Sequence, residues 1–135
     1  MTELPIDENA PRILIVEDEP KLGQLLIDYL LAANYAPTLI NHGDKVLPYV
    51  RQTPPDLILL DIEMPGMNGF EFASTLRSGG SKWGSLPFIA LSSHATPRDI
   101  ERGRLAGFTD YVAKFNREDL LATLQQTLSN VRVSS

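Results

Sequence analysis

The residues that offer chemistry in this sequence each close a short apolar run. Glu17 and Asp18 follow "RILIV", Asp61 follows "LILL", Ser92 ends "FIALS" with Ser93 beside it, and Lys114 follows "DYVA". Three carboxylates brought together repel one another and raise the proton affinity of one of them. A hard divalent cation relieves that repulsion, and carboxylate oxygens are what Mg2+ prefers. A hydroxyl and an ammonium beside such a cation suit a transferring phosphoryl group, whose oxygens need donors and positive charge. An aspartate in that setting can itself be the nucleophile and form an acyl phosphate. Each residue alone has a plainer reading. Glu19 reads equally well as a helix N-terminal charge, Ser92 as a turn residue, and Lys114 as a solvated guard on an edge strand. Their coincidence is what carries weight.

The elements between these residues decide whether they meet. Apolar runs at Arg12 to Val16, "APTLI", "DLILL", "FIALS" and "DYVAK" read as five strands. Helical spacing falls between them. Pro20 opens "KLGQLLIDYLLAAN", with Leu22, Leu25, Leu26, Tyr29 and Leu30 on one face, and "GDKVLPYVRQ" reads as a short helix despite Pro48. "GFEFASTLRS" follows, then the loop "GGSKWGSLP", in which Trp83 is assigned to packing. Thr96-Pro97 caps "PRDIERGRLAG", Gly107 stops it, and "REDLLATLQQTLSNV" closes the chain with leucines at 120, 121, 124 and 128. Strict β-α alternation with apolar strands predicts an α/β fold, a doubly wound five-stranded parallel sheet with helices on both faces. Right-handed crossovers restrict its winding, and ligands in such sheets sit at the carboxyl ends of the strands. Glu17, Asp18, Asp61, Ser92 and Lys114 all fall there.

Composition excludes several other classes. The 135 residues suit one domain, here 11–131, with tails at 1–10 and 132–135, and 43% apolar with 21% charged residues is ordinary for a globular chain. A net charge of −5 with scattered basic residues shows no footprint for nucleic acid, so no nucleic-acid partner is expected. The absence of cysteine and the two isolated histidines remove disulfide, thiol and zinc chemistry. No apolar run approaches the roughly 20 residues of a membrane span, so a cytoplasmic protein without membrane insertion is expected.

"ILIVEDEP", "LILLDIEMPGMNGFE", "PFIALSS" and "GFTDYVAK" resemble the successive signatures of a response-regulator receiver domain, the CheY-like, flavodoxin-like fold, over about residues 11 to 131. The resemblance implies strand order 2-1-3-4-5 and Mg2+-dependent phosphorylation of an aspartate by a histidine kinase or histidine phosphotransfer domain. Carried over, Asp61 is the phosphoacceptor, Asp18 the direct Mg2+ ligand, Glu17 its companion acid, and the Glu63 backbone carbonyl a further ligand. Ser92 matches the hydroxyl that turns toward the phosphoryl group, Lys114 the cation that pairs with it, and Tyr111 the rotating aromatic. Glu63 and His94 flank the path of the attacking water and are candidate modulators of hydrolysis.

The sequence departs from the family where Phe115 follows Lys114 in place of the usual proline. A cis bond there would cost about 2.5–4 kcal/mol, so either the site stores that strain or the loop takes another path. The Lys114-Phe115 pairing, with "GFTDYVAKFNRE" and "DIEMPGMNGFE", is similar to receivers attached to chemotaxis-type histidine kinases and coupling proteins. The expected output is a change in the surface of helix four, strand five and helix five, including Arg98, Arg102, Arg104 and Tyr111, where a target protein docks on a monomer or weak dimer. The chain is then no enzyme beyond its own phosphorylation and dephosphorylation. Two other classes compete. A haloacid-dehalogenase-like phosphatase would place its D-x-D, faintly echoed by Asp61-Ile62-Glu63, after the first strand and carry a cap. A pseudo-receiver that only docks would have lost an acid, the aspartate or the lysine, and all are present here.

Overall fold

The computed structural model describes residues 9–64, 69–77, 86–93 and 96–134. Five strands, β1 (Arg12–Val16), β2 (Ala36–Ile40), β3 (Leu57–Asp61), β4 (Phe88–Ser92) and β5 (Asp110–Ala113), form one parallel sheet in the order β2-β1-β3-β4-β5. The helices are α1 (Pro20–Ala32), α2 (Val46–Gln52), α3 (Gly69–Arg77), α4 (Pro97–Ala106) and α5 (Arg117–Ser134), with a 3-10 turn at Gly43–Lys45 leading into α2. The expected architecture and order are found.

Alternation along each strand sorts the core into two layers. Ile13, Ile15, Leu57, Leu59, Ile89, Leu91 and Val112 face Leu22, Leu26 and Leu30 of α1 and Leu120, Leu124 and Leu128 of α5. Their neighbours Leu14, Val16, Ile58, Leu60, Phe88, Ala90 and Tyr111 face Val46, Val50, Ala73 and Phe108 on the other side. Apolar side chains on both faces are why the central strands read as unbroken hydrophobic runs. Every residue of β3 and β4 is buried, whereas β2 and β5 are partly exposed edges.

Local signals end the elements where the sequence placed them. Glu19 caps α1, its carboxylate accepting from the Leu22 N–H at 2.7 Å, with Pro20 next in the first turn. Thr96 and Asp99 form a reciprocal capping box on α4, and Gly107 ends it at φ 110°, in the left-handed region that a side chain disfavours. Pro48 is tolerated because it sits in the first turn of α2, where backbone N–H groups have no helical acceptor. α5 runs to Ser134, so residues 132–134, assigned above to a tail, are helical. No glycine or proline stops the helix there.

Candidate functional site

Parallel strands deliver their carboxyl ends to one edge, and the ladder continues past β5 to fix the last member of the site. The Lys114 N–H bonds the Ser92 carbonyl at 2.8 Å, setting Lys114 beside the end of β4. No cis peptide occurs among the described residues, so the chain passes through Lys114-Phe115 in the trans form and leaves Phe115 exposed. The lysine still reaches inward. Its Nζ lies 3.0 Å from Asp61 Oδ1 and 3.0 Å from Glu63 Oε1.

Asp61 is 2% exposed, and its Oδ1 also accepts from the Glu63 N–H at 2.8 Å, which orients the carboxylate. Glu17 is buried beside it, while Asp18 is exposed at the rim. One oxygen each from Glu17, Asp18 and Asp61 falls within 4.8 Å of the others. Glu19, the acid with two readings, caps α1 and also donates its N–H to Glu17 Oε2 at 3.1 Å.

The electrostatics follow from this crowding. Burial pushes the Glu17 carboxyl up to about 7, with the Asp61 carboxylate adding to the rise and the Glu19 N–H opposing it. Glu17 Oε1 is buried without a hydrogen-bond partner. An orphaned oxygen among three convergent carboxylates is a donor set that suits a hard divalent cation. Burial lowers the affinity of Lys114 for its proton, but hydrogen bonds to Glu63 and Asp61 outweigh it and raise the pKa. Glu63 shows the converse. Burial favours its neutral form, and hydrogen bonds from Lys114 and Ser93 overcome that and hold it at about 2.

Ser92 is buried, with its hydroxyl 3.4 Å from Glu63 Oε2. Tyr111 is turned inward, 6% exposed, and its hydroxyl engages Ser92. Burial raises the Tyr111 pKa despite that contact. The ring lies against α4 where Gly103 leaves room, since a Cβ there would be 2.7 Å from Tyr111 Cδ2. The structure thus brings Glu17, Asp18, Asp61, Glu63, Ser92, Lys114 and Tyr111 to one edge, while His94 and Trp83 lie outside the described residues.

Three features went unassigned in the sequence. Ser93 was placed at the strand end without a role, yet its N–H and hydroxyl both bind Glu63 Oε1, at 3.0 and 2.8 Å. The reach of the Glu63 side chain across to β4 depends on a rotamer and leaves no trace in spacing. Arg77 ties the end of α3 to the rest of the fold, donating to the carbonyls of Gly107 and Leu86 at 2.9 and 2.7 Å and lying over the Phe88 ring at 4.6 Å.

Comparison with known proteins places this edge in context. Residues 13–125 match the family described as the response regulator receiver domain. The transcriptional regulatory protein BaeR of Escherichia coli O6:H1 is 54% identical over 129 residues, covering 95% of this chain and 52% of that protein. The DNA-binding response regulator MtrA of Mycolicibacterium smegmatis is 33% identical over 124 residues, covering 91% and 53%. The solved structure of the chemotaxis response regulator CheY4 of Vibrio cholerae superimposes with a TM-score of 0.80 at 30% identity, covering 88% of this chain and 99% of that one. The chain spans about half the length of the curated relatives it matches. Their names overturn one expectation, that of no nucleic-acid partner. The acidity of these 135 residues describes only the stretch that matches, and the relatives called DNA-binding or transcriptional are about twice as long. No helix among the described residues is long and apolar enough to cross a membrane.

Proposed function

The chain belongs to the response regulator receiver domain family, and from that premise we propose that Asp61 is its phosphoacceptor, charged by a histidine kinase or a histidine phosphotransfer domain. One observation carries the assignment. Asp61 is buried at the end of a central strand, within 3.0 Å of the Lys114 ammonium and grouped with Glu17 and Asp18. In the transfer an Asp61 carboxylate oxygen forms the new bond to phosphorus as the donor's N–P bond breaks. The imidazole nitrogen keeps the electron pair.

Glu17, Asp18 and Asp61, with the Glu63 carbonyl, would hold Mg2+, which when bound supplies positive charge to the phosphoryl oxygens. Lys114 offsets the charge that remains, and the Ser92 hydroxyl is a donor for a phosphoryl oxygen. Tyr111, already in contact with Ser92, would carry a turn of that hydroxyl to the face of α4, β5 and α5. Glu63 and His94 are the residues assigned to modulating hydrolysis. The receiver is taken as residues 11–131, acting in the cytoplasm, and its only reactions are its own phosphorylation and the hydrolysis of the acyl phosphate. The relatives' names support a regulator of transcription as its setting. The narrower tie to chemotaxis-type kinases rests on the short stretches around Lys114-Phe115 and from Asp61 to Glu71.

The test is uptake of a phosphoryl group from acetyl phosphate with Mg2+, read by intact mass. Wild type gains one phosphoryl group, and Asp61→Asn and Asp61→Ala gain none. A full gain in Asp61→Ala overturns the assignment.

A further inference from the structure

The side chain of Glu63 reaches away from its own turn. It leaves the turn after β3 and crosses to the end of β4, where Oε1 accepts from the Ser93 N–H at 3.0 Å, the Ser93 hydroxyl at 2.8 Å and Lys114 Nζ at 3.0 Å. Oε2 lies 3.4 Å from the Ser92 hydroxyl. An ammonium, a backbone N–H and two hydroxyls are therefore gathered around one carboxylate. The same ammonium touches the Asp61 carboxylate, so the cluster adjoins the oxygen on which a phosphoryl group would be built. A phosphoryl group needs donors of just this kind, because it carries negative charge on several oxygens.

We propose that the Glu63 carboxylate is an internal stand-in for the phosphoryl group, holding its donors in the unmodified protein so that an arriving group must displace it. The proposal rests on reading Asp61 as the acceptor and adds a gate to that site. Phosphorylation then exchanges one anion for another at Lys114, Ser92 and Ser93, and the released carboxylate turns toward solvent. The gate slows acceptance from small donors, which bring no further contacts to offset the displacement. A plain structural salt bridge would instead contribute to stability and leave the rate alone.

Glu63 is a suitable position to alter, since its side chain is 34% exposed and lies on a turn. Two effects must be separated, because removing an acid also reduces repulsion of an anionic donor. Glu63→Asp keeps the charge but is one methylene too short to hold all these contacts, whereas Glu63→Gln loses the charge and keeps the length. Phosphorylation of the full chain by acetyl phosphate with Mg2+ is timed by mass, and beryllofluoride affinity is read from the amide resonances of Ser92 and Lys114. Displacement predicts that Glu63→Asp and Glu63→Ala react about tenfold faster and bind beryllofluoride correspondingly more tightly, with Glu63→Gln behind both. The reverse order, with Gln and Ala fast and Asp at the wild-type rate, overturns the proposal in favour of general repulsion. A lowered melting temperature in all three with unchanged rates overturns it in favour of a structural bridge. Asp61→Asn in the same series keeps the two readings apart. Labelling of that variant defeats the acceptor assignment, whereas its silence with an unmoved Glu63→Asp defeats only the gate.

Discussion

Glu17 shows what a single residue contributes at this edge. Its carboxyl is raised from its ordinary 4.5 to about 7, so between those values the folded protein binds more protons than the unfolded chain. Stability should therefore fall as pH rises from about 4.5 to about 7 and change no further above it on this account. Glu17→Gln should remove that part of the slope in metal-free urea titrations, and a variant as steep as wild type would contradict the assignment. Millimolar Mg2+ should shift the wild-type midpoint upward at pH 8 more than at pH 5, because protonation of Glu17 opposes the cation. At this scale the sequence was informative wherever a residue closed a strand. Asp61, Asp18 and Lys114 were legible because a parallel sheet delivers strand ends to one edge. The two roles of Glu19 and the reach of Glu63 were not legible, because side-chain direction decides them and spacing does not.

Among the elements, α4 and β5 pack around Tyr111, the aromatic proposed to couple site and surface. Gly103 faces Tyr111 so closely that a methyl group would stand 2.7 Å from the ring, with Phe108 also nearby at 3.7 Å. Alanine normally favours a helix interior over glycine by about 1 kcal/mol, but overpacking costs about 1–3 kcal/mol, so the ring should yield. Gly103→Ala is expected to expose Tyr111, raising its solvent reactivity toward nitration, with a net destabilisation of about 0–2 kcal/mol. In a Tyr111→Ala background the same change should be stabilising, as helix propensity alone dictates. A loss of equal size in both backgrounds would place the clash elsewhere. The helices themselves were legible through Pro20, the Thr96-Pro97 cap and Gly107. The path after β5 was not, because Phe115 removed the proline that would have specified it, and the trans bond emerges only from the fold.

At the scale of the molecule, one sheet separates two apolar layers, and burial falls from its middle to its edges. Amide exchange should accordingly be slowest in β1, β3 and β4 and faster in β2 and β5, as measured by NMR in the native state. Comparable protection in β2 would show that the edge is covered. Leu59→Ala, in the central strand beneath Asp61, should cost about 2–5 kcal/mol. Fold class was readable from alternation, and strand order came only through the family resemblance. The expectation of no nucleic-acid partner failed for a reason of scale, since charge over these residues says nothing of the remaining half of the longer relatives. Arg77 has a mechanical consequence. Its guanidinium clasps the carbonyl of Gly107 at the far end of α4 and that of Leu86 ahead of β4, whereas the near end, at Thr96, is closed by its own capping box. On the proposed switch, α4 is therefore expected to pivot at its tethered Gly107 end and to swing most at Thr96.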